Sequence, residues 1–309
     1  APLRKKVEHA ANQGRAFVYL KRQVEPAVAQ QLLQQRIQGV YGKDTYRRFY
    51  PAAEVTAQTV GIVNIDGQGQ EGLELAYDEY LTGAPGSRQV VKDLYGNIIK
   101  QLQVNDIAEP GGDLTLTLDL RLQYLAYREL TAAVNQHRAE SGSAVLLDAA
   151  TGEVLALVSQ PSYNPNNRAG LKAENMRNRA VADLIEPGST IKPFVVAAAL
   201  MSGDYQPHTK VDTSPGYMRI RNKTIRDHRN YGVLDVTGII TKSSNIGVAK
   251  LAQHMGAENL WQFYTKAGIG QANLLGFPGE AIGQMPYPEQ LDNLSLATVS
   301  YGYGLAMSP

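Results

Sequence analysis

The chain has no cysteine. That excludes disulfides, a thiol nucleophile and cysteine-ligated zinc, and it fits a compartment where free thiols are a liability. Net charge is also nearly absent. The 30 Lys and Arg against 29 Asp and Glu leave +1, which gives no reason to expect nucleic acid or an anionic membrane as a partner. No apolar run is long enough to span a bilayer, and no signal peptide is present. The histidines, at positions 9, 137, 208, 228 and 254, show no ligand spacing, so no metal site is expected. What is left is an ordinary globular composition, 43% hydrophobic and 19% charged over 309 residues. That is enough for two domains and a large core. The sequence starts at Ala1 without methionine and stops at Pro309 in mid-pattern. It reads as an excised fragment, for which a membrane anchor upstream stays open.

The first hundred residues carry mixed signals. Residues 1–6 are a basic end. Residues 17–20 read as a short strand and 25–38 as an amphipathic helix. Residues 46–51, Tyr-Arg-Arg-Phe-Tyr-Pro, read as a strand with its arginines on the wet face. Residues 60–65 read as a strand, and Gly67-Gln68-Gly69-Gln70-Glu71-Gly72 after it fits the dinucleotide-binding spacing, with Asp93 about twenty residues on. The nucleotide reading fails on detail. The helix that follows, 73–81, is short, Glu71 would set a carboxylate beside the pyrophosphate, and 89–92 is not the apolar run a parallel sheet needs. A flexible turn in an accessory domain is the expectation. A hairpin turn is expected at 93–97.

Glu109-Pro110-Gly111-Gly112-Asp113 marks a domain boundary. Beyond it the pattern sharpens: a strand at 114–118, then a long helix 120–137 capped by Asp119. Two strands of an antiparallel hairpin follow at 143–148 and 153–159. Later come an irregular basic hairpin at 217–225, helices at 246–255 and 257–270, and a loop at 281–294.

The stretch that organises the chain is Glu186-Pro187-Gly188-Ser189-Thr190-Ile191-Lys192-Pro193-Phe194. Pro187 and Gly188 punctuate it as turn residues, and the all-apolar run 194–200 reads as a buried helix. Ser189 and Lys192 then share a face of its first turn. A serine hydroxyl is a poor nucleophile unless a base takes its proton. A lysine acts as that base only when neutral, which burial or nearby positive charge favours. A helix start adds partial positive charge and offers the Ser189 N–H as half of an oxyanion hole. The bland alternative is a capping serine with a solvated lysine. Ser-x-Asn occurs twice, at Ser162-Tyr163-Asn164 and at Ser243-Ser244-Asn245. The second is the better chemical candidate, because it sits at a loop-to-helix junction from which Ser243 could relay a proton and Asn245 could bind a substrate amide.

Together these phrases resemble the penicilloyl-serine transferases, the family of penicillin-binding proteins and serine β-lactamases. Residues 178–194, Ser-Tyr-Asn-Pro-Asn-Asn (162–167), Lys-Ser-Ser-Asn-Ile-Gly (242–247) and Tyr-Gly-Tyr-Gly-Leu near the end look like class B penicillin-binding proteins, and within them the division-specific branch. Arg47-Arg48-Phe49-Tyr50-Pro51 and Gly72-Leu73-Glu74 look like that class's N-terminal pedestal. The resemblance implies an α+β fold: a mixed pedestal or dimerisation-like domain over 1–112, and a partial transpeptidase domain over 113–309, an antiparallel sheet flanked by helices and lacking its C-terminal strands. It implies a peptidoglycan D,D-transpeptidase acting in septal wall synthesis through an acyl-serine and inhibited by β-lactams. Ser189 would be the nucleophile and Lys192 its base. Ser243 and Asn245 would complete the relay and, with Ser244, contact the substrate or β-lactam. No cofactor and no metal are implied. The implied partners are stem peptides ending in D-Ala-D-Ala, β-lactams, and division-complex membrane proteins including a glycan polymerase, with no nucleic acid. The implied home is the periplasmic face of the inner membrane.

The sequence departs from the family's pattern in one respect. The third triplet, Lys-(Ser/Thr)-Gly, is absent, and Lys266-Ala267-Gly268 is a lookalike at a helix end. As written, the chain is therefore expected to be impaired. The alternative reading is a β-lactam-binding sensor or a non-catalytic division scaffold. A β-lactamase would need a deacylating glutamate, for which Glu186 is poorly placed.

Overall fold

The computed structural model describes residues 2–93 and 98–309. Apart from Asp93, the hairpin turn expected at 93–97 lies outside the described residues. Helix α1 (Pro2–Asn12) and helix α2 (Pro26–Gln34) open the chain, and no residue of α2 is buried. α2 ends four residues before the expected 38, and Arg36 just beyond it adopts a left-handed φ of 48° that no helix continues through. The strand expected at 17–20 does not form. Its alternating aromatics instead face each other, Phe17 edge-on to Tyr19 at 4.7 Å, with the Arg22 guanidinium over the Tyr19 ring.

Helix α3 (Ala57–Val60) takes the front of the strand expected at 60–65. Only β1 (Ile62–Val63) remains of it, paired antiparallel with β2 (Gly69–Glu71). Helices α4 (Gly72–Ala76) and α5 (Asp78–Thr82) follow. At Gly69 and Gly72 the glycine-rich turn is not loose, as expected, but tightly packed. A Cβ at Gly69 would sit 2.0 Å from the Glu74 carbonyl oxygen, and one at Gly61 1.7 Å from that of Glu71. The glycines let backbone pass backbone, and no phosphate cradle results. Strands β3 (Ser87–Lys92) and β4 (Ile98–Asp106) form an antiparallel ladder, with every residue of β4 exposed. Residues 46–51 form no strand. Arg48 pairs with the buried Glu74 carboxylate at 2.9 Å, and Arg47 donates to the Asn166 carbonyl.

Helix α6 (Leu120–His137) starts where Asp119 accepts from the amides of Arg121 and Leu122, the capping predicted from the sequence. Residues 114–118 join no ladder. They run beside the following hairpin, Thr117 donating to the Val154 carbonyl and the Asp119 amide to Leu155. That hairpin is β5 (Gly142–Leu147) with β6 (Val154–Gln160). Gln123, 1% exposed, fastens α6 to it: its amide nitrogen donates to the carbonyls of Val55 and Leu157, and its oxygen accepts from the Leu157 amide.

Short helices α7 (Ala173–Met176) and α8 (Arg179–Ala182) lead to a 3-10 turn, Gly188–Ile191, and helix α9 (Lys192–Met201). Next come β7 (Lys210–Asp212), the hairpin β8 (Tyr217–Ile220) and β9 (Lys223–Arg226), and β10 (Val233–Asp235), which pairs with β7. Helices α10 (Val236–Thr241), α11 (Asn245–Met255), α12 (Ala257–Lys266) and α13 (Asn293–Ser300) complete the fold. The sequence reading passed over α13, whose cap, Asp292, accepts from the amides of Leu294 and Ser295. Every ladder among the described residues is antiparallel, as an α+β chain requires. The largest core gathers Val195 and Ala199 of α9, Val248 and Leu251 of α11, Leu260 and Tyr264 of α12, and Leu296 and Val299 of α13, all 4% exposed or less. A second cluster, Tyr50, Ala57, Ile62 and Tyr163, joins the first hundred residues to the rest.

Candidate active site

Ser189 lies on the 3-10 turn before α9, exposed. Thr190 ties this turn down by donating to the Pro187 carbonyl at 2.6 Å. The segment after α13 runs antiparallel beside it. The Gly188 amide donates to the Gly302 carbonyl at 3.0 Å, the Gly304 amide to the Glu186 carboxylate at 2.8 Å, and Ile185 and Met307 exchange both backbone bonds. Gly302, at φ 89°, makes this approach possible: a Cβ there would lie 2.0 Å from the Gly188 carbonyl oxygen. The Glu186 carboxylate is thus engaged by backbone. Among the described residues, neither the Ser189 hydroxyl nor its amide takes a hydrogen-bond partner. Both are left for a ligand.

Lys192, the first residue of α9, is 2% exposed. Its ammonium donates to the Ser243 carbonyl at 2.6 Å, the Ser243 hydroxyl at 3.0 Å and the Asn245 side-chain oxygen at 2.7 Å. The sequence puts Ser189 and Lys192 on one face of the turn. The three donors of Lys192 go to the Ser243–Asn245 turn, whose two carbonyl-type oxygens and one hydroxyl serve the buried cation. Burial pulls the Lys192 pKa down to about 8, against the negative charge of Asp227, which pushes it up. At pH 7 roughly one molecule in ten then holds a neutral amine ready to accept a proton.

The tight α10–α11 connection aims these groups. Ser243 adopts a left-handed φ of 52° between the helices, a sparsely populated conformation for a residue with a Cβ. Asn245, the first residue of α11, holds Lys192 with its oxygen while its nitrogen donates to the Arg226 carbonyl at 2.9 Å, leaving one amide proton uncommitted. Ser244 is placed differently from the substrate contact expected of it. It is fully buried, caps α11 by accepting from the Gly247 amide at 2.8 Å, and donates to the Asp227 carboxylate at 2.6 Å. Its side chain has no face open to a ligand.

The sequence reading missed Asp227 and Gly302. Asp227 is a lone acid in a basic hairpin, which the spacing argument never used. Gly302 lies within the Tyr-Gly-Tyr-Gly phrase, whose glycines gave the available signal. The other Ser-x-Asn triplet lies at the junction of the two halves. Ser162 donates to the Glu54 carbonyl, Tyr163 to that of Ala57, and Asn164 to the Glu54 carboxylate.

A serine on a turn backed by a buried lysine, itself wired to a Ser-x-Asn turn, is the arrangement of penicillin-interacting serine proteins. The chain belongs to the penicillin-binding protein family. The transpeptidase domain of these proteins matches residues 142–309, and their dimerisation domain matches residues 2–116. The matching relatives place it with the class B members. It is 45% identical over 299 residues to the peptidoglycan D,D-transpeptidase FtsI of Escherichia coli strain K12, covering 97% of this chain and 50% of that protein. It is 42% identical over 308 residues to the probable peptidoglycan D,D-transpeptidase PenA of Neisseria gonorrhoeae, covering 99% of this chain and 52% of that protein. The apo crystal structure of penicillin-binding protein 3 from Mycobacterium tuberculosis superposes with a TM-score of 0.75 at 32% identity, covering 85% of this chain and 56% of that one. The chain therefore spans about half the length of the curated relatives it matches.

Proposed function

We propose that the chain carries the acylation centre of a septal peptidoglycan D,D-transpeptidase. The observation that carries this reading is the buried Lys192 bound at once to Ser243 and Asn245, in the same turn as a serine whose hydroxyl takes no hydrogen bond among the described residues. In the neutral state Lys192, directly or through the Ser243 hydroxyl, takes the Ser189 proton as Oγ attacks the carbonyl carbon of the penultimate D-Ala. The Ser189 amide donates to the oxygen on which charge develops. The carbon–nitrogen bond then breaks, the relayed proton passes through Ser243 to the leaving D-Ala amine, and Ser189 keeps the acyl group. The amine of a neighbouring stem attacks that ester, gives up its proton along the same route, and frees Ser189. In this reading the spare amide proton of Asn245 holds a backbone carbonyl of the donor stem. A β-lactam enters as a mimic of the D-Ala-D-Ala end and stays as an acyl-serine. The residues up to about 112 act as the pedestal and those from 113 as the transpeptidase domain. The same reading places the protein at the periplasmic face of the inner membrane among division proteins, including a glycan polymerase.

The test is an intact mass before and after incubation with a penicillin. One penicilloyl adduct per chain, absent from Ser189→Ala, supports the reading. No adduct on this chain or on one extended through a Lys-(Ser/Thr)-Gly triplet would replace it with the scaffold reading.

A further inference from the structure

We propose that Asp227 is a positioning residue: its buried carboxylate grips the Ser244 hydroxyl and the Ile246 amide together, and so locks the turn that puts Ser243 and Asn245 onto Lys192. The inference rests on the transpeptidase reading for its rate effects, but the geometry stands independently. Asp227 directly follows β9, is 9% exposed, and accepts from Ser244 Oγ at 2.6 Å and from the Ile246 amide at 3.0 Å. Its own amide donates to the Gly216 carbonyl, which fixes the end of the hairpin. The two residues it holds flank Asn245 on either side. Residue Arg226, its neighbour in sequence, holds Asn245 itself through the backbone carbonyl. The end of one hairpin thus clamps three consecutive residues of the turn.

Such a clamp is needed because the turn is strained. Ser243 is left-handed, and a residue with a Cβ stays there only when its surroundings over-determine it. The Ser244 amide donates to Ile239 and that of Ser243 to Ile240, which tie the near side of the turn. The far side depends on Asp227. No cation pairs with this carboxylate among the described residues, and a buried carboxylate without one is costly unless its hydrogen bonds serve it. Here both oxygens serve the turn.

The same carboxylate also acts through space on Lys192, as the charged group that opposes the effect of its burial. The three atoms touching the ammonium are neutral. Among charged groups on neighbouring elements, Lys250 of α11 donates to the Asp212 carbonyl, His254 of α11 faces Asp204, and Arg226 lies over the Tyr217 ring. Lys242 ends α10 exposed. Asp227 therefore does two separable things, holding the turn and holding the lysine's proton.

Two variants separate them in the 309-residue chain. Asp227→Asn removes the charge and weakens the clamp. Ser244→Ala removes one contact of the clamp and leaves the charge. The Lys192 titration is followed by NMR of the lysine ε-carbons, its signal assigned by loss in Lys192→Arg. Acylation by a penicillin is followed against pH by mass. In Asp227→Asn the Lys192 midpoint should fall from about 8 by roughly half a unit or more, with the high-pH acylation plateau down at least about tenfold. In Ser244→Ala the plateau should fall while the midpoint holds. A merely structural role lowers the plateau in both variants without moving either midpoint. An Asp227→Asn protein with wild-type midpoint and plateau overturns the proposal, as does Ser244→Ala at full rate. If Asp227→Asn does not fold, Ser244→Ala decides. If neither the wild-type chain nor one extended through a Lys-(Ser/Thr)-Gly triplet takes an adduct, the transpeptidase reading alone fails, and the titration still decides whether Asp227 governs Lys192.

Discussion

The β3–β4 ladder and the α9–α11 pair show opposite ways in which this chain spends its apolar residues. β4 leaves Ile98, Ile99, Leu102 and Val104 about half exposed or more. Its ladder is held by backbone hydrogen bonds and one side-chain bond, from the Ser87 hydroxyl to the Asp106 carboxylate at 2.6 Å. In α9 and α11, by contrast, Val195, Ala199, Val248, Leu251 and Ala252 are sealed from solvent. The polar site is built on that sealed pair, at the starts of the two helices. Local pairing suffices to make regular structure, but only close packing fixes a lysine and a serine turn to within tenths of an ångström.

The largest loss is expected in the sealed core, at Leu251. Leu251→Ala, in a site with no solvent access, should cost about 2–5 kcal/mol, read as a lower urea midpoint. Next comes Lys192 itself. Its folded pKa, about 8, lies below the 10.5 of an exposed lysine. The unfolded chain therefore binds more protons between these values, and stability rises with pH across that window. Relative to Lys192→Met, the wild type should gain on the order of 3 kcal/mol between pH 7 and pH 10.5. Equal pH slopes for the two proteins would refute a buried, proton-poor lysine. Acylation should rise roughly fivefold from pH 7 to pH 8 for the same reason.

Gly302→Ala tests the packing of the nucleophile turn. The added methyl meets the Gly188 carbonyl in a left-handed conformation, so penicillin acylation should drop about tenfold or more, read by the rate of adduct formation. The smallest effect belongs to the ladder. Leu102→Ala, at a side chain 53% exposed, should change stability by less than about 0.5 kcal/mol. A loss like that of Leu251→Ala would mean that another surface covers β4.

Much of the site was legible because its parts are local. Asp119 before an amphipathic run announces the cap of α6. Ser189 and Lys192 stand three apart beside an all-apolar helix, and Ser-Ser-Asn at a helix start announces a cap. What was not legible depended on long-range contact. The Tyr-Arg-Arg-Phe stretch reads as a strand by composition, yet Arg48 is held by Glu74 from another element. The glycine-rich turn fits a dinucleotide spacing, yet its glycines serve backbone packing.

The turn residues, the helix caps, the buried character of α9 and the identity of the groups at the site follow from local sequence, because each depends on residues within a few positions of one another. The tertiary structure decided which group meets which. It tied Lys192 to Ser243 and Asn245, buried Ser244 as a cap, and brought Asp227 and Gly302 to the centre. Burial in one shared core makes such pairings strong and selective, and burial is a property of the folded chain, not of any segment of it.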